Sequence, residues 1–473
     1  MVKGNLAKNT TYFTAALTFQ KILSFIFFWY VSNHILPSQL GQYVFALSFT
    51  TLFSILIDLG LSPVLTREAS KDRDSANRLL RGVIGIKIPL GLITLILCWL
   101  VILVTGKAAE VRLLVYLASF IMILDSFSLS FWVIFRARQT LKYESIATIL
   151  VQMIIFVLGI IAVRLSGEVK YLMMSLLAAS IFNFILSSTL LKIKLGFSLK
   201  PSWDKELAKY FFKIIPAFAI AGIFVKIYNT IDSVLLGYLA SDTAVGFYAV
   251  PAKVVYALQQ VVPAAFAAVI FPAFSYYYTT SKELLEQTFK KAFNYLTITS
   301  LPMAAGLTVM AEPIIAKVWP NYLAVVPTFI IMALTIPFIF LAFPTGYLLN
   351  ACDRQKNTTI NRGIITTIAV ILNITLIPIY SYLGSAIAFL ITNVILLFLD
   401  LFWVNKVIPL KVKDLMIILG KSFFATLIMV ITILAIENYL PLILTIFLGA
   451  VCYFVILWLV KGLDMADLKL LKR

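Results

Sequence analysis

The sequence predicts an all-α integral membrane protein with about fourteen transmembrane helices. Three observations carry this. Of 473 residues 62 % are hydrophobic and only 13 % charged; mean hydropathy is +1.00; and apolar stretches of about 18 residues or more recur along the whole chain, each long enough to cross a hydrocarbon core of roughly 30 Å as a helix.

Taken in order, an apolar run over 11–33 follows a polar start with no cleavage-site pattern and is read as a retained first span. Runs over 40–62, 82–104, 112–135, 144–164 and 171–191 complete a set of six. A second set occupies 210–236, 245–273, 291–311, 327–350, 362–378 and 384–404, and two further runs lie at 416–436 and 442–461. The predicted organisation is a six-helix lobe over 1–200, a second over 201–410, and two extra helices with a cytoplasmic tail over 411–473.

Net charge is +18, which in a soluble chain would suggest nucleic acid. Its distribution excludes that reading. The termini and the connectors 63–81, 136–143, 192–209, 274–291, 351–362 and 405–415 carry 28 Lys and Arg, against 5 in the connectors between them. Cytoplasmic loops hold the Lys/Arg excess, so both termini and the basic loops are expected on the cytoplasmic side of the cell membrane, facing anionic headgroups. No connector is long enough for an extramembrane catalytic domain.

The chain repeats itself. Residues 21–46 align with 226–251 at a constant shift, placing Lys21 on Lys226, Gly41 on Gly246 and Tyr43 on Tyr248. Further along, Pro89 answers Pro302, and Arg138-Gln139 answers Arg354-Gln355. Six spans per copy with both ends on one side make the repeat parallel, about an axis along the membrane normal. Two lobes facing a central cavity follow.

Charges inside spans cost about 2.5–3.5 kcal/mol on insertion scales, so they usually face a watery cavity and serve function. Lys21 and Lys226 are central in their helices and Lys253 is about a third of the way into its own; together they predict a cationic cavity that binds an anionic cargo. Asp125 and Asp232 are candidates for ion coupling or charge pairing. Lys87 and Lys213 lie close to basic helix ends, where a four-carbon stem can lift the ammonium to the headgroups. Pro89, Pro216, Pro251, Pro263, Pro272, Pro302, Pro337 and Pro344 favour kinks that let helices bend.

Signatures of chemistry are lacking. The single histidine, His34, has no triad around it; Cys98, Cys352 and Cys452 are far apart and form no CxxC pair; no phosphate-cradling glycine loop occurs. Neither a metal nor a cofactor is expected, and the chain is read as a non-enzyme.

From Leu36 to Ser70 the sequence reads LPSQLGQYVFALSFTTLFSILIDLGLSPVLTREAS. Its Leu40-Gly41-x-Tyr43 opening, mid-helix Asp58-Leu59-Gly60 and following Arg67-Glu68 resemble the signature of polysaccharide-biosynthesis flippases of the multidrug/oligosaccharidyl-lipid/polysaccharide (MOP) exporter superfamily. The resemblance implies two six-helix lobes around a V-shaped cavity. It also implies a polyprenyl-pyrophosphate-linked oligosaccharide as cargo, moved from the cytoplasmic to the outer leaflet by alternating access for surface glycan assembly. Cavity cations of the family carry over to Lys21, Lys226 and Lys253. Implied partners are the lipid-linked substrate, membrane lipids and glycan-assembly enzymes. One rival is an ion-coupled multidrug antiporter of the same fold, whose cationic cargo three cavity lysines would repel. Another is a membrane glycan polymerase, which would carry a large outer loop or cytoplasmic domain.

Overall fold

The structure is a computed structural model describing the backbone of residues 2–72 and 74–462, with side chains of 12–72, 74–211, 213, 219–263, 266, 270–411 and 413–462. Among the described residues, thirteen helices are long and apolar enough to cross a membrane, fourteen when one bent pair counts as a single span. Contacts divide the chain into two compact units, Met1–Ala249 and Val250–Arg473.

The first unit begins with α1 (Val2–His34) and α2 (Pro37–Asp58). Proline at the first turn of α2 gives up no needed donor, and the Gln39 side chain accepts from the Leu36 amide at 3.0 Å. The chain then leaves the helix: Leu59 (φ 43°) and Gly60 (φ 84°) are left-handed, and a short helix, α3 (Leu61–Lys71), follows. Asp58-Leu59-Gly60 is therefore a helix break, not the mid-helix motif the sequence suggested, because the αL geometry that glycine allows ends α2 at Asp58. Next come α4 (Ala76–Val104), α5 (Ala109–Ala137), α6 (Lys142–Leu165), α7 (Val169–Leu195) and α8 (Lys205–Leu239). Gly196 at φ 67° ends α7, and Asp204 caps α8 by accepting from the Glu206 and Leu207 amides, both at 3.1 Å.

Within this unit α2 lies against α5 and α8, α5 against α7, and α1 against α6. Leu61, Val64 and Leu65 of α3 pack with Leu80 and Val83 of α4 and with Ile134 and Phe135 of α5, all wholly buried. By contrast Leu92, Ile93, Ile96, Leu100 and Leu103 of α4 are exposed, as expected of side chains that face lipid tails.

The helix α9 (Asp242–Thr280) crosses from one unit to the other. The second unit continues with α10 (Lys282–Val309) and the short α11 (Ala311–Val318), bent by 71° where they meet. It ends with α12 (Val326–Ala351), α13 (Gln355–Tyr380), α14 (Tyr382–Val407), α15 (Val412–Ile436) and α16 (Leu442–Leu459). Here α12 packs on α10 and α14, α13 on α14, and α15 on both α10 and α16. Tyr453 of α16 donates to the Ile298 carbonyl of α10 at 2.8 Å, fixing the last helix to the unit.

Several stretches read from hydropathy as connectors are helical: 61–71 forms α3, and α9 and α10 are separated only around Ser281. Lys and Glu are good helix formers, so charge marks where the apolar stretch ends and not where the helix ends. Seven of the prolines named above, from Pro89 to Pro344, lie inside helices; the side chain of Pro216 is outside the described residues.

Candidate functional site

The break after Asp58 shapes a charged centre in the first unit. Because α3 restarts at Leu61, Ser62 comes back toward the end of α2, and its hydroxyl donates to Asp58 Oδ1. From α4, Lys87 Nζ donates to the same carboxylate oxygen at 2.7 Å, and to the carbonyl and hydroxyl of Ser126 on α5 at 2.9 and 3.1 Å. Those contacts use all three ammonium donors. The Lys87 side chain is 0 % exposed and that of Asp58 16 %. A buried charge costs several kcal/mol unless it is paired and hydrogen-bonded, which this pair satisfies.

Lys87 therefore does not reach for the headgroups as its place in the sequence suggested. Asp58 holds it inside. Lys213 is exposed.

Lys226 of α8 stands beside this pair and is differently placed. Its ammonium donates to the Ser54 hydroxyl at 3.0 Å, and among the described residues no carboxylate lies within ion-pair distance of it. Asp58 is near enough to be felt electrostatically, yet its charge is already met by Lys87. A cavity of about 270 Å³ opens here, lined by Lys226, Asp58 and Asp125 and by the hydroxyls of Thr50, Thr51, Ser54 and Ser126. A second, of about 320 Å³, shares Asp58 and Lys226 and runs on past Ser62 and Thr66 to Arg136. Glu144 holds the Arg136 guanidinium, accepting from Nε at 2.9 Å and also from Nη2. Lys226 thus stands where the two cavities join, as the lining cation with no carboxylate partner among the described residues.

The structure brings Lys226 and Asp125 to one cavity. Asp125 is exposed to it, is in no ion pair among the described residues, and meets the Ser180 hydroxyl. Lys21 is exposed on α1, outside both cavities, and has no hydrogen bond or ion pair among the described residues. Lys253 belongs to the second unit. Asp232 is 5 % exposed and accepts from the Tyr248 hydroxyl at 2.8 Å, away from these cavities. Arg67 lies 3.7 Å from Glu68, which also takes Lys71 at 3.0 Å.

Gly41 and Gly246, matched in the repeat, meet each other. A Cβ on Gly41 would stand 1.6 Å from the Asp242 carbonyl oxygen, and one on Gly246 would stand 1.9 Å from that of Pro37. Nearby, Lys107 donates to Asp242 Oδ1 at 3.0 Å and to the Gly237 carbonyl, with the Phe45 ring 4.7 Å away.

The sequence singles out neither Ser62, Ser126 nor Lys107, and it points Lys87 to the headgroups instead of to Asp58. The signal for the hydroxyls was present: Ser126, Ser128 and Ser130 form a polar run straight after Asp125, inside a span. Among the described residues, no group of three or more His, Cys, Asp or Glu side chains is placed to hold a metal ion.

A family model described as "Polysaccharide biosynthesis protein" matches residues 6–278, more than half of the chain. The chain belongs to the polysaccharide biosynthesis protein family. The fold of the chain is similar to that of transporters of known structure. The structure described as "Lipid II flippase MurJ, inward closed conformation" is similar with a TM-score of 0.78 at 16 % identity, over 96 % of this chain and 99 % of that one. An inward-facing multidrug resistance MATE family transporter gives 0.62 at 14 % identity, over 82 % and 94 %. Among curated relatives, the "Probable flippase AglR" of Haloferax volcanii is 26 % identical over 221 residues, which is 46 % of this chain and 45 % of that protein. The match thus spans under half of that relative's length. An uncharacterized membrane protein of Methanocaldococcus jannaschii is 24 % identical over 469 residues, covering 89 % of this family member and 88 % of the relative.

Proposed function

We propose that this protein is a flippase that moves a polyprenyl-pyrophosphate-linked oligosaccharide from the cytoplasmic to the outer leaflet by alternating access, in the assembly of a cell-surface glycan. The observation that carries the reading is Lys226, a cation with no carboxylate partner among the described residues, at the junction of two hydroxyl-lined cavities. An ammonium there can take a phosphate oxygen, with Ser54 and Thr51 as neutral neighbours, while a polyprenyl tail stays in the lipid. Lys21 and Lys253 are assigned to the same cargo-binding role, with lobes over 1–200 and 201–410 and two accessory helices over 411–473. The excess of Lys and Arg in alternate connectors supports cytoplasmic termini in the cell membrane. A chain with this work needs no catalytic group of its own.

A second reading rests on Asp125, a cavity carboxylate with no ion pair among the described residues. It could accept a coupling cation, or hold a cationic drug in an antiporter. The two readings part on cargo. Translocation of a fluorescent polyprenyl-pyrophosphate oligosaccharide in proteoliposomes, lost in Lys226→Ala, supports the flippase; ion-coupled efflux of a cationic dye without lipid-linked sugar movement replaces it with the antiporter.

A further inference from the structure

The second unit holds a cavity of a different character. It measures about 310 Å³ and draws its polar lining from four helices: Gln259 of α9, Tyr347 and Asn350 of α12, Arg362 of α13 and Asn393 of α14. Much of its hydrogen-bonding capacity is unspent. Among the described residues the Gln259 amide, the Tyr347 hydroxyl and the Arg362 guanidinium make no hydrogen bond, and Asn350 uses its side-chain oxygen, accepting from Thr358 at 3.0 Å, but not its amide nitrogen. Polar groups lining a cavity stay unpaired only where water or a ligand completes them. Tyr347 also sets an aromatic wall, its ring 5.9 Å from Phe271 and 6.1 Å from Phe343.

The charge balance narrows the ligand. Arg362 is the one ionisable cation among the described lining residues. Asp400 is 2 % exposed, is held by the Asn361 amide at 2.8 Å, and lies close enough to Arg362 to interact with it. Its Oδ2 is 3.9 Å from where a Cβ on Gly346 would stand. A single guanidinium among neutral donors and acceptors is little positive charge for a multivalent anion. Side-chain amides that donate and accept, a phenol and an aromatic face instead match a neutral, hydroxyl-rich ring.

We infer that this cavity of the second unit is a saccharide subsite, holding a sugar ring of the cargo through Gln259, Asn350 and Arg362 against Tyr347. The assignment rests on the flippase reading for its biological cargo, but binding of a free sugar tests it separately. A polar site built around unpaired donors and acceptors discriminates against ligands that lack the matching hydroxyls, because its polar groups are then left without partners.

The test is saturation-transfer NMR on the full chain in detergent, with free glucose, N-acetylglucosamine and glucuronate as probes and inorganic pyrophosphate as competitor. Ring-proton saturation of at least one sugar is expected, reduced about five-fold or more in Gln259→Leu and in Tyr347→Leu and unaffected by equimolar pyrophosphate. Gln259 makes no hydrogen bond among the described residues, so its variant should fold as the parent does. Absence of saturation from every sugar, saturation that survives both substitutions, or displacement by pyrophosphate would overturn the subsite. Sugar saturation lost in both variants of a protein that moves no lipid-linked oligosaccharide would leave the subsite standing and remove the flippase reading.

Discussion

Lys87 and Asp58, 29 positions apart, meet at 2.7 Å with the lysine side chain wholly out of solvent. Each makes the other tolerable in an apolar interior, and removing one partner of such a pair typically costs about 3–5 kcal/mol because the survivor is left charged and buried. Lys87→Met is therefore expected to destabilise the protein by that order, and Asp58→Leu likewise. The double variant should recover most of the loss. Unfolding in detergent, followed for both single variants and the double, reads this directly; a double variant as unstable as the sum of the singles would show that the pair is not the unit that matters.

The contact of Gly41 with Gly246 leaves no room for a methyl group, since the atoms that a Cβ would strike are backbone carbonyls. Backbone cannot rotate away as a side chain can. Gly41→Ala and Gly246→Ala should each cost about 1–3 kcal/mol or more, read as a lower midpoint of thermal unfolding. Gly91→Ala, at a position with nothing within 4 Å, is the control expected to change little.

Outside the spans, the Arg78 guanidinium, 2.6 Å from Asp204 Oδ2, holds the Asp204 carboxyl below its ordinary range, helped by the Leu207 and Glu206 amides. A carboxyl whose folded pKa is depressed contributes stability above its unfolded pKa and loses it as pH falls through the folded value. Relative to Asp204→Asn, which keeps a capping oxygen, the parent should be more stable near about pH 7, with the difference shrinking below about pH 4. Thermal unfolding of the two proteins across that range checks the sign. A difference that grows on acidification would contradict it.

The number of spans was legible because crossing a bilayer demands length and apolarity together, and both are written locally. Helix ends were less so: the charged residues of α3 and of the α9–α10 junction favour helix as much as they favour water. The site divides in the same way. Lys226 and Asp125 stand out in the sequence by their central positions, and the structure sets both on one cavity. The position of Lys87 in the sequence misleads because its distance from a helix end is local, whereas its partner on α2 is brought to it only by tertiary packing. The Gly-x-Tyr repeat marked Gly41 and Gly246 as related; that they touch was not readable from their spacing.

The most direct measurement is translocation of a fluorescent polyprenyl-pyrophosphate oligosaccharide in proteoliposomes by the parent, Lys226→Arg and Lys226→Ala. Lys226→Ala leaves no buried carboxylate without its partner, so the protein should stay folded while transport falls by ten-fold or more, with Lys226→Arg retaining much of it. Undiminished transport in Lys226→Ala, with its folding verified, would contradict the account of this site.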